Sequence, residues 1–261
     1  MIPFAAELES MTRPELALGV AGYLRYWPKV RGANVLATSV TYRVLDPAGV
    51  EVVASTSTTP ATIDGVSRCA VSLTPSGGLW RLAEDWRIEF TFTAIDEDGL
   101  SASYVQSLNF DVVIEPLGDL GVSLNNLAGD DNAASVICER HASALDPQRS
   151  AQNQAQIYVM EAVADLRKLL KRKVKERGEE WPRYIANKDD LRAVVVAGAL
   201  HRMYRAQGFN SDAAVRAAQE WRDERDTRFS DLPDLRFSSD ADRQPDVELR
   251  GFRTIILRRG A

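Results

Sequence analysis

The chain has little of what most catalytic, redox and membrane chemistry is built on. Its 261 residues include two cysteines and two histidines. Cys69 and Cys138 lie in segments of different character, which favours two buried thiols over a disulfide framework. No uninterrupted run of about eighteen apolar residues occurs, so no membrane span is expected. The opening MIPFAAELESMTRPEL puts acids where a secretory signal needs a basic start and an apolar centre. A protein made in the cytoplasm is the expectation. No Walker A loop, dinucleotide glycine fingerprint, nucleophile-elbow serine or paired-histidine zinc helix is found. Cys138 and His141, three residues apart, could face one ion, but only Cys69 and His201 remain to complete a site, so two ordinary buried or half-buried side chains are expected and no metal. Asp189 and Asp190 read as carboxylates at a helix start, where the dipole favours them, and not as an acid–base pair. Neither an enzyme nor a cofactor is expected.

A strong charge of one sign is also missing. The formal net charge of −5 hides an asymmetry, since residues 1–149 carry 10 basic and 19 acidic groups and residues 150–261 carry 22 and 18. The split suggests two domains in different electrostatic surroundings. The basic surplus of the second is too small for a dedicated nucleic-acid binder and leaves at most transient contact with duplex DNA.

What is present is two different periods. In WRIEFTFTAI, Trp86, Ile88, Phe90, Phe92 and Ala94 fall on one side and Arg87, Glu89, Thr91 and Thr93 on the other, the alternation of a strand with one buried face. TSVTYRVL and QSLNFDVVI repeat it through Val40, Tyr42 and Val44, and through Leu108, Phe110, Val112 and Ile114. With GVAGYLRYW, VEVVAST and SRCAVSL, six or seven strands fit before residue 116. DPAG at 46–49 and DEDG at 96–99 supply the turns. Asp96 and Asp98 could begin a calcium loop, but the ligand series stops there, so DEDG reads as a hairpin turn. EPLGDLG at 115–121 breaks the pattern, and beyond it the period is helical.

Helices are expected over about 131–144 and 150–177, then from a cap at Asn187 to Gly208, and from Asn210 or Ser211 onward. LRAVVVAGAL is apolar nearly all round and should be the central helix; in the next, Ala214, Ala218 and Trp221 make the packed stripe. In the long helix Ile157, Met160, Val163, Leu166, Leu170 and Val174 define the apolar stripe. Lys168, Lys171, Arg172, Lys173 and Lys175 lie off it, and a polar face of this kind is first of all a solvated one. The whole reads as an α+β chain of two domains. An immunoglobulin-like antiparallel β-sandwich spans 1–117, and a small α-helical bundle spans 118–261, with an extended C-terminal arm from about 233.

The order of elements from about residue 120, carried by YIANKDDLRAVVVAGALHRMYRAQG, a charged helix, a polar Asp-rich stretch and a final VELRGFRTIILRR, resembles the head-tail connector adaptors of long-tailed bacteriophages. The sandwich in front lies outside that family's core pattern. The resemblance implies a structural virion protein at the head-tail interface, monomeric alone. Twelve copies would form a ring beneath the portal that extends the DNA channel and meets the next neck or tail-terminator protein. It implies that the arm, through Arg250, Phe252, Arg253, Ile255, Ile256, Leu257 and Arg258, reaches the portal or a neighbouring subunit. The basic helix then faces either a neighbour, with Asp223, Glu224 and Asp226 as the matching acids, or the channel; subunit pairing is favoured. The rivals are another virion component of tail or baseplate, and a carbohydrate- or protein-binding module using Trp27, Trp80 or Trp86.

Overall fold

The computed structural model describes residues 13–95, 99–113, 116–145, 149–175, 184–185, 188–207, 211–232, 235–238, 247–250 and 253–256, with backbone alone for 173–175, 184–185, 188, 235–238, 247–250 and 253–256. The fold is mixed α+β. The chain divides into two compact units, Met1–Pro116 and Leu117–Ala261.

The first unit carries ten strands among its described residues: β1 (Glu15–Ala17), β2 (Gly22–Tyr26), β3 (Lys29–Val30), β4 (Ala33–Asn34), β5 (Ala37–Leu45), β6 (Glu51–Thr58), β7 (Ala61–Ile63), β8 (Val66–Leu73), β9 (Ala83–Ile95) and β10 (Ser101–Val113). The surplus over the six or seven expected consists of pieces two or three residues long, too short to show a period. One sheet has the order β1-β10-β9-β5-β6, a second β2-β8-β7, and β3 pairs β4. All pairings are antiparallel except β1 with β10. Trp86, Ile88, Phe90, Phe92 and Ala94 are all buried, and they meet Leu24, Cys69, Val71 and Leu73 of the second sheet in one apolar cluster. Tyr26 stacks on Phe90 at 4.8 Å between ring centres. The DPAG turn forms as expected: Asp46 Oδ1 accepts from the amides of Ala48 and Val50 at 2.9 and 2.8 Å, and Gly49 takes φ of 84°. At DEDG, residues 96–98 lie outside the described residues, while Ile95 and Ser101 on either side are paired.

One alternation breaks down. Asp111 should face outward between Phe110 and Val112, yet it is 1% exposed. A register shift between Phe110 and Val112 interrupts the β9–β10 ladder, and β1 covers the same stretch by pairing Glu15 with Asp111. The carboxylate is satisfied there by Arg13, whose Nε and Nη2 donate to Oδ1 at 3.0 and 2.6 Å, and by the Asp85 amide at 3.1 Å.

The second unit holds α1 (Leu124–Asp130), α2 (Ala134–Leu145), α3 (Ala151–Lys175), α4 (Arg192–Ala206) and α5 (Asp212–Ser230). A 3-10 turn over Lys188–Leu191 leads into α4, and Leu191 occupies the cap position of the α-helical part without a side-chain bond. Asn187 itself lies outside the described residues. Ser211 caps α5, its Oγ accepting from the Ala214 amide. Val194 to Leu200 are buried without a break, so α4 is the central helix. Gly198 makes this possible, because a Cβ there would lie 3.1 Å from Ala162 Cβ on α3. α3 and α4 run in the same direction, with Ala162 beside Gly198 and Asp165 beside Arg202. α5 returns antiparallel, with Ala218 at His201 and Arg228 at Ala193.

The C-terminal segment departs from the single extended arm. It forms β12 (Leu235–Ser238), β13 (Val247–Arg250) and β14 (Arg253–Ile256), which with β11 (Tyr184–Ile185) make an antiparallel sheet of order β11-β12-β13-β14. Gly251 and Phe252 separate β13 from β14, and Arg250 pairs with Arg253 across the hairpin. Pairing in cis satisfies backbone groups that one extended strand would leave to solvent.

Two substitutions test these supports. Asp111→Ala takes the buried acceptor from the Asp85 amide and leaves the half-buried Arg13 guanidinium only the exposed Asp85 carboxylate at 2.6 Å, which should cost about 2–3 kcal/mol in denaturant unfolding; a cost below about 0.5 kcal/mol contradicts the role given to the carboxylate. Gly198→Val should cost about 1–3 kcal/mol by forcing α3 and α4 apart. A neutral result there means the close approach is not a constraint.

Candidate functional site

A groove of about 800 Å³ opens where α3, α4 and α5 meet. α3 contributes Asp165, Lys168, Leu169 and Arg172; α4 contributes His201, Arg202, Tyr204 and Arg205; α5 contributes Val215, Ala218, Gln219, Arg222 and Arg225. Six cations thus face one carboxylate, with Leu169, Val215 and Ala218 as the apolar part of the lining. The placement follows from helical spacing. Arg202 and Arg205 sit three apart on α4, as do Arg222 and Arg225 on α5, and antiparallel packing brings the two pairs together.

Some of this charge is already matched. Arg202 grips Asp165 through Nε at 3.0 Å and through Nη2, and its Nη1 lies 3.9 Å from Glu161. Arg225 donates to Asp226 at 2.6 Å, and Lys168 Nζ lies 4.0 Å from Asp165. Arg205 and Arg222 are exposed and have no hydrogen-bond or ion-pair partner among the described residues. They are the side chains of the groove best placed to meet an incoming anion.

His201 Nδ1 donates to the Ala218 carbonyl at 2.7 Å, tying α4 to α5 beneath the cations. Burial lowers its pKa, the Ala218 bond opposes that, and Arg225, Arg202 and Arg205 lower it further. A neutral ring under a cationic rim is the result. His141 is lowered as well, by burial and by Arg140, and its Nδ1 lies 2.7 Å from the Tyr158 hydroxyl. Burial pushes that hydroxyl up to about 12.

The residues singled out from sequence fall into three groups. Lys168 and Arg172 line the groove, Lys171 is exposed nearby, and Lys173 and Lys175 have side chains outside the described residues. The acids proposed as matches for a neighbouring subunit are engaged within their own helix: Asp223 accepts from Gln219, Glu224 from Arg228 and Asp226 from Arg225. Helical spacing and adjacency put these donors within reach, and Asp223 and Asp226 remain exposed. Of the C-terminal residues, Arg250, Arg253, Ile255 and Ile256 lie on the terminal hairpin, and Phe252, Leu257 and Arg258 lie outside the described residues.

The other candidates disperse. Cys138 Sγ contacts Met203 Sδ at 3.9 Å while His141 turns to Tyr158, so the pair does not converge. Cys69 and Cys138 are buried free thiols, each pushed up to about 11 by burial. Asp189 stands in the 3-10 turn, 3.4 Å from Arg192. Trp27 and Trp86 are buried, and Trp80 stacks on Trp86 at 4.6 Å with its own ring half-covered, so the three present no open aromatic platform. Sequence reasoning missed Arg202, Arg205, Arg222 and Arg225, because HRMYRAQG reads as packing and QEWRDERDTR as a solvated face. The signal was there in the three-residue spacing of each pair.

No family model, curated protein or solved structure matches this chain.

Both histidines have pKa values below the ordinary 6.5, so between their folded and unfolded values the unfolded chain binds the extra protons and stability falls as pH falls. The melting temperature of the helical unit should therefore drop as pH is lowered from about 7.5 to about 5.5, and His141→Gln with His201→Gln should flatten that dependence. An unchanged slope in the double variant contradicts the assignment.

Proposed function

We propose that this chain is a structural component of a tailed-phage particle: an adaptor that assembles as a ring of twelve between the portal and the next neck or tail-terminator protein, extending the DNA channel. The reading assigns it to the virion after synthesis in the host cytoplasm and gives it no catalytic role. The two facing sheets of the first unit are read as an immunoglobulin-like β-sandwich, a separate domain carried on the helical connector domain.

The observation that carries the reading is the build of the second unit. A buried α4 clamped between α3 and α5 gives a stiff wall that needs no ligand to hold it, and its outer side carries charge in place of a reaction centre. The polar stretch after α5 and the terminal hairpin follow in the order that the connector resemblance requires. In this reading the hairpin strands β13 and β14, with Arg250, Arg253, Ile255 and Ile256, form the portal-facing element, and β14 at the end of its sheet offers a backbone edge for strand addition.

Deletion of residues 247–261 tests the assignment. The five helices share a core built from α1–α5 and the segment before α1. The truncated chain should therefore keep its helical circular dichroism and lose capture by portal protein. Undiminished portal capture, or failure of the intact chain to bind portal at all, contradicts the proposed role.

A further inference from the structure

The cationic groove has a counterpart on the opposite flank of the same helix. A second groove, of about 750 Å³, is lined by Asp130 at the end of α1, Asp131, Asn132 and Ala133 from the α1–α2 turn, Tyr204 from α4, and Ala217, Glu220, Trp221, Glu224 and Arg228 from α5. Four carboxylates face one arginine, the reverse of the balance across the helix. Helical geometry separates the two faces. At 3.6 residues per turn, Val215, Gln219 and Arg222 project to one flank of the α5 packing stripe, and Glu220, Glu224 and Ala217 project to the other.

Each groove also keeps a group in reserve. In the acidic one, Asp130 and Glu224 are held by Arg228 at 2.7 Å each, and Asp131 accepts from the Tyr204 hydroxyl at 2.6 Å. Glu220 is exposed and has no hydrogen-bond or ion-pair partner among the described residues, as Arg205 and Arg222 have none in the basic groove. Both grooves add apolar surface to the charge, Trp221 and Tyr204 on the acidic side, Leu169 and the exposed Val215 on the basic side.

We propose that these grooves are the two halves of a head-to-tail contact between copies of this chain, with the Glu220 flank of one copy seated against the Arg205–Arg222 flank of the next. The inference rests on the ring reading and names the surfaces that would close it. Two different and complementary faces on one body generate a heterologous contact, which propagates in one direction and closes into a ring when the rotation per copy allows. A two-fold dimer would instead need both flanks of α5 to engage at once in a single patch. Arginine suits the basic side because its planar fork can take a carboxylate through two bonds. Duplex DNA is the competing occupant, and it fits less well because it accounts for the basic groove alone and leaves the acidic one without purpose.

Charge reversal on the full-length chain tests the contact. In the ring reading the chain is monomeric alone at ordinary concentrations, so the contact is weak without portal; at the highest concentrations and low salt the wild-type protein should show the onset of association in sedimentation velocity, weakening as salt is raised. Arg205→Glu with Arg222→Glu makes both flanks acidic, and Asn132→Arg with Glu220→Arg makes both more basic. Each double variant alone should associate at least roughly tenfold more weakly than wild type. Mixed one to one they should associate again, since each then presents the complement of the other, and that recovery shows both variants to be folded. A wild-type chain that stays monomeric at every concentration in low salt overturns the proposal, as does a mixture that fails to associate. Self-association untouched by the reversals, with duplex binding lost in Arg205→Glu/Arg222→Glu, assigns the basic groove to nucleic acid instead. Portal capture by the same variants separates the two readings: capture without self-association removes this contact and leaves the adaptor assignment standing.

Discussion

The helical unit depends on the approach of α3 to α4 at Ala162 and Gly198. A helix as apolar as α4 is stable only when nearly its whole circumference is covered, and covering it with α3, α5 and the α1–α2 segment requires backbones to come close on at least one side. Glycine in a helix interior costs up to about 1 kcal/mol against alanine, so its presence at the tightest point indicates that the contact outweighs the propensity. Once α3 lies that close, Asp165 meets Arg202 one turn further along, and the basic face of α3 is turned toward the cations of α4 and α5. The groove is a consequence of the packing as much as of the charges.

The same logic of covered faces explains the first unit. β9 sits between β10 and β5, so its inward row can be wholly aromatic and branched while its outward row carries Arg87 and Glu89, joined at 3.2 Å. Gln106 of β10 bonds both the Tyr26 hydroxyl and the Lys29 amide, so polar groups as well as apolar ones link β10 to the β2–β3 segment. Ser67 does the same for β8 and β5 through the Ala37 amide at 2.9 Å.

What could be read from sequence follows from how local each signal is. Trp86 through Ala94 announce their strand because one face is buried along its length, and Val194 through Leu200 announce a central helix because all faces are. Asp111 misled because a bulge and a parallel neighbour, both set by distant residues, turn a nominally outward position inward. The 3-10 turn that leads into α4 leaves no mark in residue type. The terminal sheet was unreadable for a different reason: β11 pairs with β12 across some fifty residues, and two- to four-residue strands have no period to detect. Lys168 and Arg172 pointed to the right helix, but Arg205 and Arg222 join them only through the antiparallel return of α5.

The account therefore turns on whether the two flanks of α5 meet between copies. Cross-linking with a short bismaleimide answers this directly, because Cys69 and Cys138 are fully buried and only an introduced thiol should react. Asn132→Cys on the acidic groove and Gln219→Cys on the basic groove, which leave Glu220, Arg205 and Arg222 in place, would be made as separate full-length chains and treated alone and mixed. A head-to-tail contact predicts efficient cross-links only in the mixture, joining one chain of each kind. Equal cross-linking of either variant with itself would mean that a groove meets its own counterpart across a two-fold axis, and would contradict the polarity assigned to this surface.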